Sequence, residues 1–167
     1  MTTTTTTGTA TAGTATVDEG SVISSLNNLI ETCRDGENGF ASAAEGVTDV
    51  SIKMAFQTYA QQRNQFATEL QSEVRMLGGD PQTTGSVAGA LHRGWINIKA
   101  AVTGKDEHSI LEECERGEDS AKKNYQQALE ESLPPKIQNL VNRQYHDVIT
   151  AHDTIRSWRD RTKAASA

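Results

Sequence analysis

Aromatic residues make up only 5 % of this 167-residue chain, and its apolar fraction is 35 %. A β-sandwich or barrel draws on many Val, Ile, Tyr, Phe and Trp side chains, so a sheet fold is not expected. Basic residues are also in deficit, with 16 Lys and Arg against 22 Asp and Glu and a net charge of −6. A footprint on phosphates needs the opposite balance, which argues against nucleic acid as a partner. No stretch approaches the roughly 18 consecutive apolar residues of a membrane span. The first residues carry neither the basic nor the apolar run of a secretory signal. Cysteine is limited to Cys33 and Cys114, too few for a disulfide framework, and the expected compartment is cytoplasmic.

What is present is helical periodicity. Residues 1–17 are low complexity, with ten threonines in the first sixteen positions, and are expected to form a disordered tail. Residues 18–167 are expected to form one domain. Four helical segments are predicted there. The first runs from a cap at Asp18 to Gly46, and the second from Thr48 or Asp49 to the stop at Gly78-Gly79-Asp80-Pro81. The third spans Asp106 to Ser132. Pro134-Pro135 separates it from the fourth, which reaches Arg161. The inward ladders are Leu26, Ile30, Cys33, Glu37, Phe40, Ala44, then Ile52, Phe56, Tyr59, Arg63, Phe66, Leu70. They continue as Leu111, Cys114, Glu118, Ala121, Tyr125, and as Ile137, Val141, Gln144 or Tyr145, Val148, His152, Ile155. Four amphipathic helices can bury such stripes only against one another, which predicts an all-α four-helix bundle.

The connections choose the topology. Short links make antiparallel hairpins of helices one and two and of helices three and four. Residues 79–105 are far too many for a turn, and within them Ser86 to Val102 is predicted to be a further helix. A crossover of that size can run the length of the bundle and start helix three parallel to helix two, the ferritin-like arrangement.

Each ladder is interrupted by a polar residue: Glu37, Arg63, Glu118, and Gln144 or Tyr145. Four interruptions at matching depth make a layer, because a buried charge is costly unless paired or bound to a metal. The chain also echoes itself. Glu31-Thr32-Cys33-Arg34-Asp35-Gly36-Glu37-Asn38 matches Glu112-Glu113-Cys114-Glu115-Arg116-Gly117-Glu118-Asp119 at an offset of 81, with Gln62 and Gln144 in comparable places of the second helices. Carboxylate bundles that hold two metals use a Glu from each of two helices and a Glu-x-x-His from each of the others. Here Glu37 and Glu118 could supply the single glutamates. Gln62-Arg63-Asn64-Gln65 and Gln144-Tyr145-His146-Asp147 replace the paired motifs, and Arg63 puts a fixed positive charge where a metal would sit. The favoured reading is a core layer of Glu37, Arg63, Glu118, Gln62, Gln144 and Tyr145 held by an arginine-centred ion pair, with no cofactor and no catalytic residue. The alternatives are an iron or manganese site on Glu37, Glu118, Gln62 and Gln144, or a shifted ladder in which one glutamate faces water.

From Leu26 to Asp160 the chain resembles the uncharacterised bacterial ferritin-like four-helix-bundle proteins, a domain-of-unknown-function family. The resemblance rests on Leu29-Ile30-Glu31-Thr32-Cys33 with Gly36 and Glu37, on the segment from Gly85 to Trp95 (GSVAGALHRGW), and on Leu111 to Asp119 (LEECERGED). It implies the fold and a bacterial, soluble protein, and brings no reaction with it. Two functions follow as expectations. One is a non-enzymatic scaffold or interaction protein, stress-related, acting as a homo-oligomer or with a protein partner. The other is a di-metal oxidoreductase or metal-storage protein.

Further residues carry smaller expectations. His92, His108, His146 and His152 share no metal-ligand spacing and are read as three surface residues and one flanking the core. The glycines Gly36, Gly39 and Gly117 each cost a helix about 1 kcal/mol relative to Ala, which suggests close helix approach or a local bulge at the polar layer. If helices one and three are antiparallel with Glu37 and Glu118 level, Cys33 and Cys114 lie roughly 12 Å apart along the axis. That separation predicts two buried free thiols rather than a disulfide.

Overall fold

The computed structural model describes residues 16–85 and 94–165. The predicted tail falls almost wholly outside them. Four long helices form the bundle: α1 (Glu19–Gly46), α2 (Val50–Met76), α4 (Glu107–Leu129) and α5 (Pro135–Ala165). A short α3 (Ile98–Gly104) lies in the crossover. The described residues contain no strand, and none of their helices is long and apolar enough to cross a membrane.

Local chemistry sets the helix ends. The Asp18 carboxylate accepts from the Gly20 amide at the start of α1, and Asp49 accepts from Ser51 and Ile52 at the start of α2, satisfying amides that lack intrahelical partners. Past α2, Gly78 adopts φ +75°. Its amide donates to the Arg75 carbonyl and that of Gly79 to Val74, the paired closure that a left-handed glycine permits. Pro135 opens α5, where a missing N–H costs nothing.

Hydrogen bonds between helices give the chain direction. Glu107, in the first turn of α4, accepts from the backbone and hydroxyl of Thr48 and from the Asp49 amide at the start of α2. At the far end, Asn27 of α1 bonds Asp80 and Gln82 beyond the end of α2. The crossover therefore runs the length of the bundle, and α4 starts where α2 starts. Helices α1 and α4 are antiparallel: Cys33 meets Tyr125, whereas Gly46, farther along α1, packs against Ile110 near the start of α4.

Part of the expected crossover is corrected. The predicted helix over 86–102 is not continuous: residues 94–97 are non-helical and α3 begins only at Ile98. Gly94 takes φ +80°, and a Cβ there would stand 2.7 Å from the Arg116 carbonyl oxygen. The chain turns at this point because only glycine can pass so close to the α4 backbone. Residues 86–93 of that predicted helix lie outside the described residues. Helix α4 also stops at Leu129 rather than Ser132, and five residues lead from it to α5.

Two apolar clusters fill the bundle. One is mainly aliphatic, with Leu26, Leu29, Ile30, Leu70, Val141 and Tyr125 among its members. The other is aromatic, built around Phe40, Phe56, Trp95, Ile110 and Ile155. On all four long helices the change from one cluster to the other occurs near the middle. That seam positions the candidate site.

Candidate functional site

Arg63 fills the seam. It is 1 % exposed, among the largest fully buried side chains of the protein. Its guanidinium carbon lies 5.7 Å from the Phe40 ring centroid and 5.4 Å from that of Phe66, so one aromatic from each cluster flanks it. Gly36 of α1 makes room for its stem. A Cβ at Gly36 would lie 3.4 Å from Arg63 Cγ.

The guanidinium Nη2 donates to Glu118 Oε2 at 2.6 Å, and Nη1 donates to Gln62 Oε1 at 2.6 Å. Glu118 is fully buried. Burial raises its carboxyl pKa, and the Arg63 charge and hydrogen bond pull it only partly back. For Arg63, burial opposes the charge, and the Glu118 carboxylate together with Cys33 and Tyr125 outweighs it, holding the guanidinium above its ordinary value. Arg63 Nε and Glu118 Oε1 have no hydrogen-bond partner among the described residues.

The other expected members of the layer sit elsewhere. Glu37 is half-buried and pairs with Arg34 at 2.7 Å, one turn back on its own helix. Gln144 is fully buried, but inside the aliphatic cluster. It accepts from the Tyr125 hydroxyl at 2.8 Å and donates to Glu69 at 2.8 Å. Tyr145 is half-buried, accepts from Gln126, and stacks on Tyr125. The α5 residue at the seam is His152, between Val148 of one cluster and Ile155 of the other. The reason is register. Helix α4 continues to Leu129 and a five-residue link follows, so the position level with Glu118 comes later on α5 than an offset of 81 from Arg63 would place it.

The four residues of the alternative metal site thus fall into three separate neighbourhoods. Glu118 is bound to Arg63, Gln62 to Arg63, Glu37 to Arg34, and Gln144 to Tyr125 and Glu69. This set does not fit a pair of iron or manganese ions, since a permanently charged guanidinium occupies the one fully buried carboxylate.

Two glycines receive the crossover. A Cβ at Gly39 would stand 2.2 Å from the Trp95 ring, and one at Gly117 would stand 2.1 Å from it. Trp95 is therefore wedged between α1 and α4, and it meets Phe40 edge-on at 5.1 Å between centroids. The expected close approach holds at all three glycines, but their occupants are a tryptophan and an arginine stem rather than another helix backbone.

The cysteines lie on either side of the seam. Both are free and buried, Cys33 in the aliphatic cluster and Cys114 in the aromatic one. The Tyr125 hydroxyl lies 3.2 Å from Cys33 Sγ. Burial pushes the Cys33 thiol up to about 11 despite that contact, and burial pushes Cys114 well above its usual value. Neither has the electropositive, accessible setting of a reactive thiol.

His152 is more than a core-flanking residue. Its Nε2 lies 2.8 Å from Asp119 Oδ1 and 4.0 Å from Glu115 Oε1, and its Nδ1 lies 3.0 Å from Asp153 Oδ1. Arg159 binds the other oxygen of Glu115. Spacing along the sequence could not reveal this group, because its members come from two helices. The only signal was that Glu115 and Asp119 stand four apart on α4. Of the remaining histidines, His108 is half-buried against Thr162 and Glu112, His146 is exposed, and His92 lies outside the described residues.

With the geometry in place, comparison with known proteins assigns the family. Residues 21–131 match the family model "Domain of unknown function (DUF2383)". The chain belongs to that family. The match covers α1 through α4 and leaves α5, with His152, outside it. No curated protein matches the chain. Among solved structures it is similar to a two-domain protein from Anabaena variabilis that contains DJ-1/ThiJ/PfpI-like and ferritin-like domains. The TM-score is 0.70 at 18 % identity, over 87 % of this chain and 40 % of that one. At that identity the likeness shows the fold alone. This DUF2383 chain is a ferritin-like all-α bundle, and it spans less than half the length of that neighbour.

Proposed function

We propose that this protein is a non-enzymatic ferritin-like scaffold or interaction protein in which a buried ion pair replaces the central di-metal site. The observation that carries this reading is the Arg63–Glu118 bridge at 2.6 Å between two fully buried side chains. A metal at that level would have to displace a guanidinium that cannot lose its charge. Breaking such a pair typically costs 3–5 kcal/mol. The two-domain neighbour supports an interaction role, since there a ferritin-like domain shares a chain with a DJ-1/ThiJ/PfpI-like domain. The working form is a homo-oligomer or a complex with a protein partner in the bacterial cytoplasm, in a stress-related role.

Adding ferrous iron in air to the full chain tests this. The expected result is no oxygen-dependent absorbance change and no pair of irons retained per chain. Sedimentation of the same sample should show an assembly larger than the 18.1 kDa chain, or a larger species once the partner is added. Two irons per chain that are lost on Glu118→Ala, together with oxygen consumption, would overturn the reading in favour of the oxidoreductase.

A further inference from the structure

At the outer edge of the seam lies a set of donors that the ion pair does not use. Glu115 and Asp119 on α4 and His152 on α5 each offer a ligand atom, and these atoms all lie within 4.8 Å of one another. The His152 side chain is 5 % exposed while that of Asp119 is 62 % exposed, so the group is anchored in the core and open to water on one side.

The histidine is over-supplied with acceptors. A neutral imidazole carries one N–H and one lone pair. Here both ring nitrogens face carboxylate oxygens, Nδ1 at 3.0 Å from Asp153 and Nε2 at 2.8 Å from Asp119. If Nδ1–H donates to Asp153, the lone pair of Nε2 points at a second anion. That contact is repulsive unless a positive species lies between the two. A carboxylate on the far nitrogen is also how proteins fix a metal-ligating histidine in its tautomer and raise its basicity. Arg159 takes one oxygen of Glu115 and so orients that carboxylate, leaving Oε1 facing the ring.

A second, independent feature is a buried carboxylate oxygen without a partner beside the group. Glu118 stands one residue before Asp119, is fully buried, and has an Oε1 with no hydrogen-bond partner among the described residues. Its carboxylate lies within electrostatic reach of both His152 and Asp119. Of the four carboxylates here, Glu118 pairs with Arg63 and Glu115 with Arg159, while Asp153 feels Lys122 and Arg156, which leaves Asp119 with the imidazole alone as its hydrogen-bond partner among the described residues. The internal echo shows that this set belongs to one half of the bundle. The α1 positions matching Glu115 and Asp119 hold Arg34 and Asn38, neither of which could serve.

The geometry points to a binding site for a single divalent first-row cation of the zinc or cobalt type at Glu115, Asp119 and His152, with Asp153 holding the ring. Imidazole and carboxylate donors suit such ions, and three protein ligands leave the remaining position to water. The site is separate from the central layer and sits where the neutral tautomer of His152 is least well satisfied.

Cobalt(II) is a direct probe, since it colours on binding and zinc displaces it. The full chain should bind one equivalent of cobalt with a visible d–d band, and zinc should abolish the band. Asp119→Asn alters an exposed side chain and should leave the helical circular dichroism unchanged while weakening binding at least about tenfold; Asp153→Asn should weaken it by about tenfold. His152→Gln should abolish the band, and if that variant fails to fold, Asp119→Asn decides. Glu37→Gln, outside the group, should bind like wild type. Absence of a band in the folded wild-type chain, or equal affinity in Asp119→Asn, would overturn the site. Either result is independent of the iron and oxygen readout that tests the central ion pair.

Discussion

The two copies of the Cys-x-x-Gly-Glu segment are alike in chemistry and unlike in surroundings. In α1, Gly36 admits the stem of Arg63 and Glu37 turns back to Arg34 in partial contact with water. In α4, Gly117 admits the Trp95 ring and Glu118 is fully buried against the guanidinium. Each copy supplies half of what one centre needs, a groove from α1 and an anion from α4. A single arginine, on α2, joins them. The difference teaches that an internal repeat in sequence need not give two equal half-sites. The chain has one crossover and, among the described residues, one buried arginine, and both are shared unequally between the halves.

Breaking the centre should have the largest effect. Arg63→Met leaves Glu118 buried without its counter-charge, and denaturant unfolding at pH 8 should show a loss of about 3–5 kcal/mol. Burial already holds the Glu118 carboxyl above its ordinary value, and without Arg63 it should rise further. A carboxyl that titrates higher in the folded state than in the unfolded chain makes the folded state bind more protons. Stability then falls as pH rises through that window and returns as pH drops toward 5. Adding Glu118→Leu to Arg63→Met should recover most of the loss at pH 8, since an apolar pair of similar volume is often neutral or better. A single variant as stable as wild type at pH 8 would place Arg63 in solvent.

The glycines sharpen the same contrast. Gly117→Ala puts a methyl 2.1 Å from a rigid indole. Trp95 must leave its groove, and the overpacking should cost about 1–3 kcal/mol even after the helix gains from alanine. Gly36→Ala meets only the stem of Arg63 at 3.4 Å, an ordinary contact, so the helix gain should prevail and stability should change by less than about 1 kcal/mol. Thermal melts of the two variants side by side test whether equivalent glycines carry different loads. Glu37→Gln should have the smallest effect, within about 1 kcal/mol, because its partner lies on the same helix and both are partly exposed. A loss as large as that of Arg63→Met would show that Glu37 belongs to the centre after all.

The thiols offer a check that is almost independent of energy. Cys33 and Cys114 flank the seam in opposite clusters, and both should resist a thiol reagent in the native protein and react together on unfolding. Early labelling of one alone would show that its half of the bundle opens first.

The amino-acid sequence by itself determined the helices and their hairpins. Apolar residues three and four apart, carboxylate caps at Asp18 and Asp49, the stop at Gly78 and the start at Pro135 are local features, and local backbone physics reads them without help. The length of the crossover likewise implied its direction. Burial of Arg63 and Glu118 was legible because each interrupts an otherwise apolar stripe. The tertiary structure alone decided which polar residues meet. Glu37 and Glu118 occupy matching places in the echo, yet packing leaves Glu37 at the half-buried edge and Glu118 at the fully buried centre. His152 replaces Gln144 at the seam because of the register between α4 and α5. That register depends on where α4 ends and how five linking residues close, and nothing in the periodicity of either helix encodes it. Trp95 reaches its groove only because α1 and α4 pack side by side with a glycine on each. The Glu115, Asp119 and His152 group exists for the same reason: one helix carries the carboxylates, another carries the imidazole, and only packing sets the distance between them.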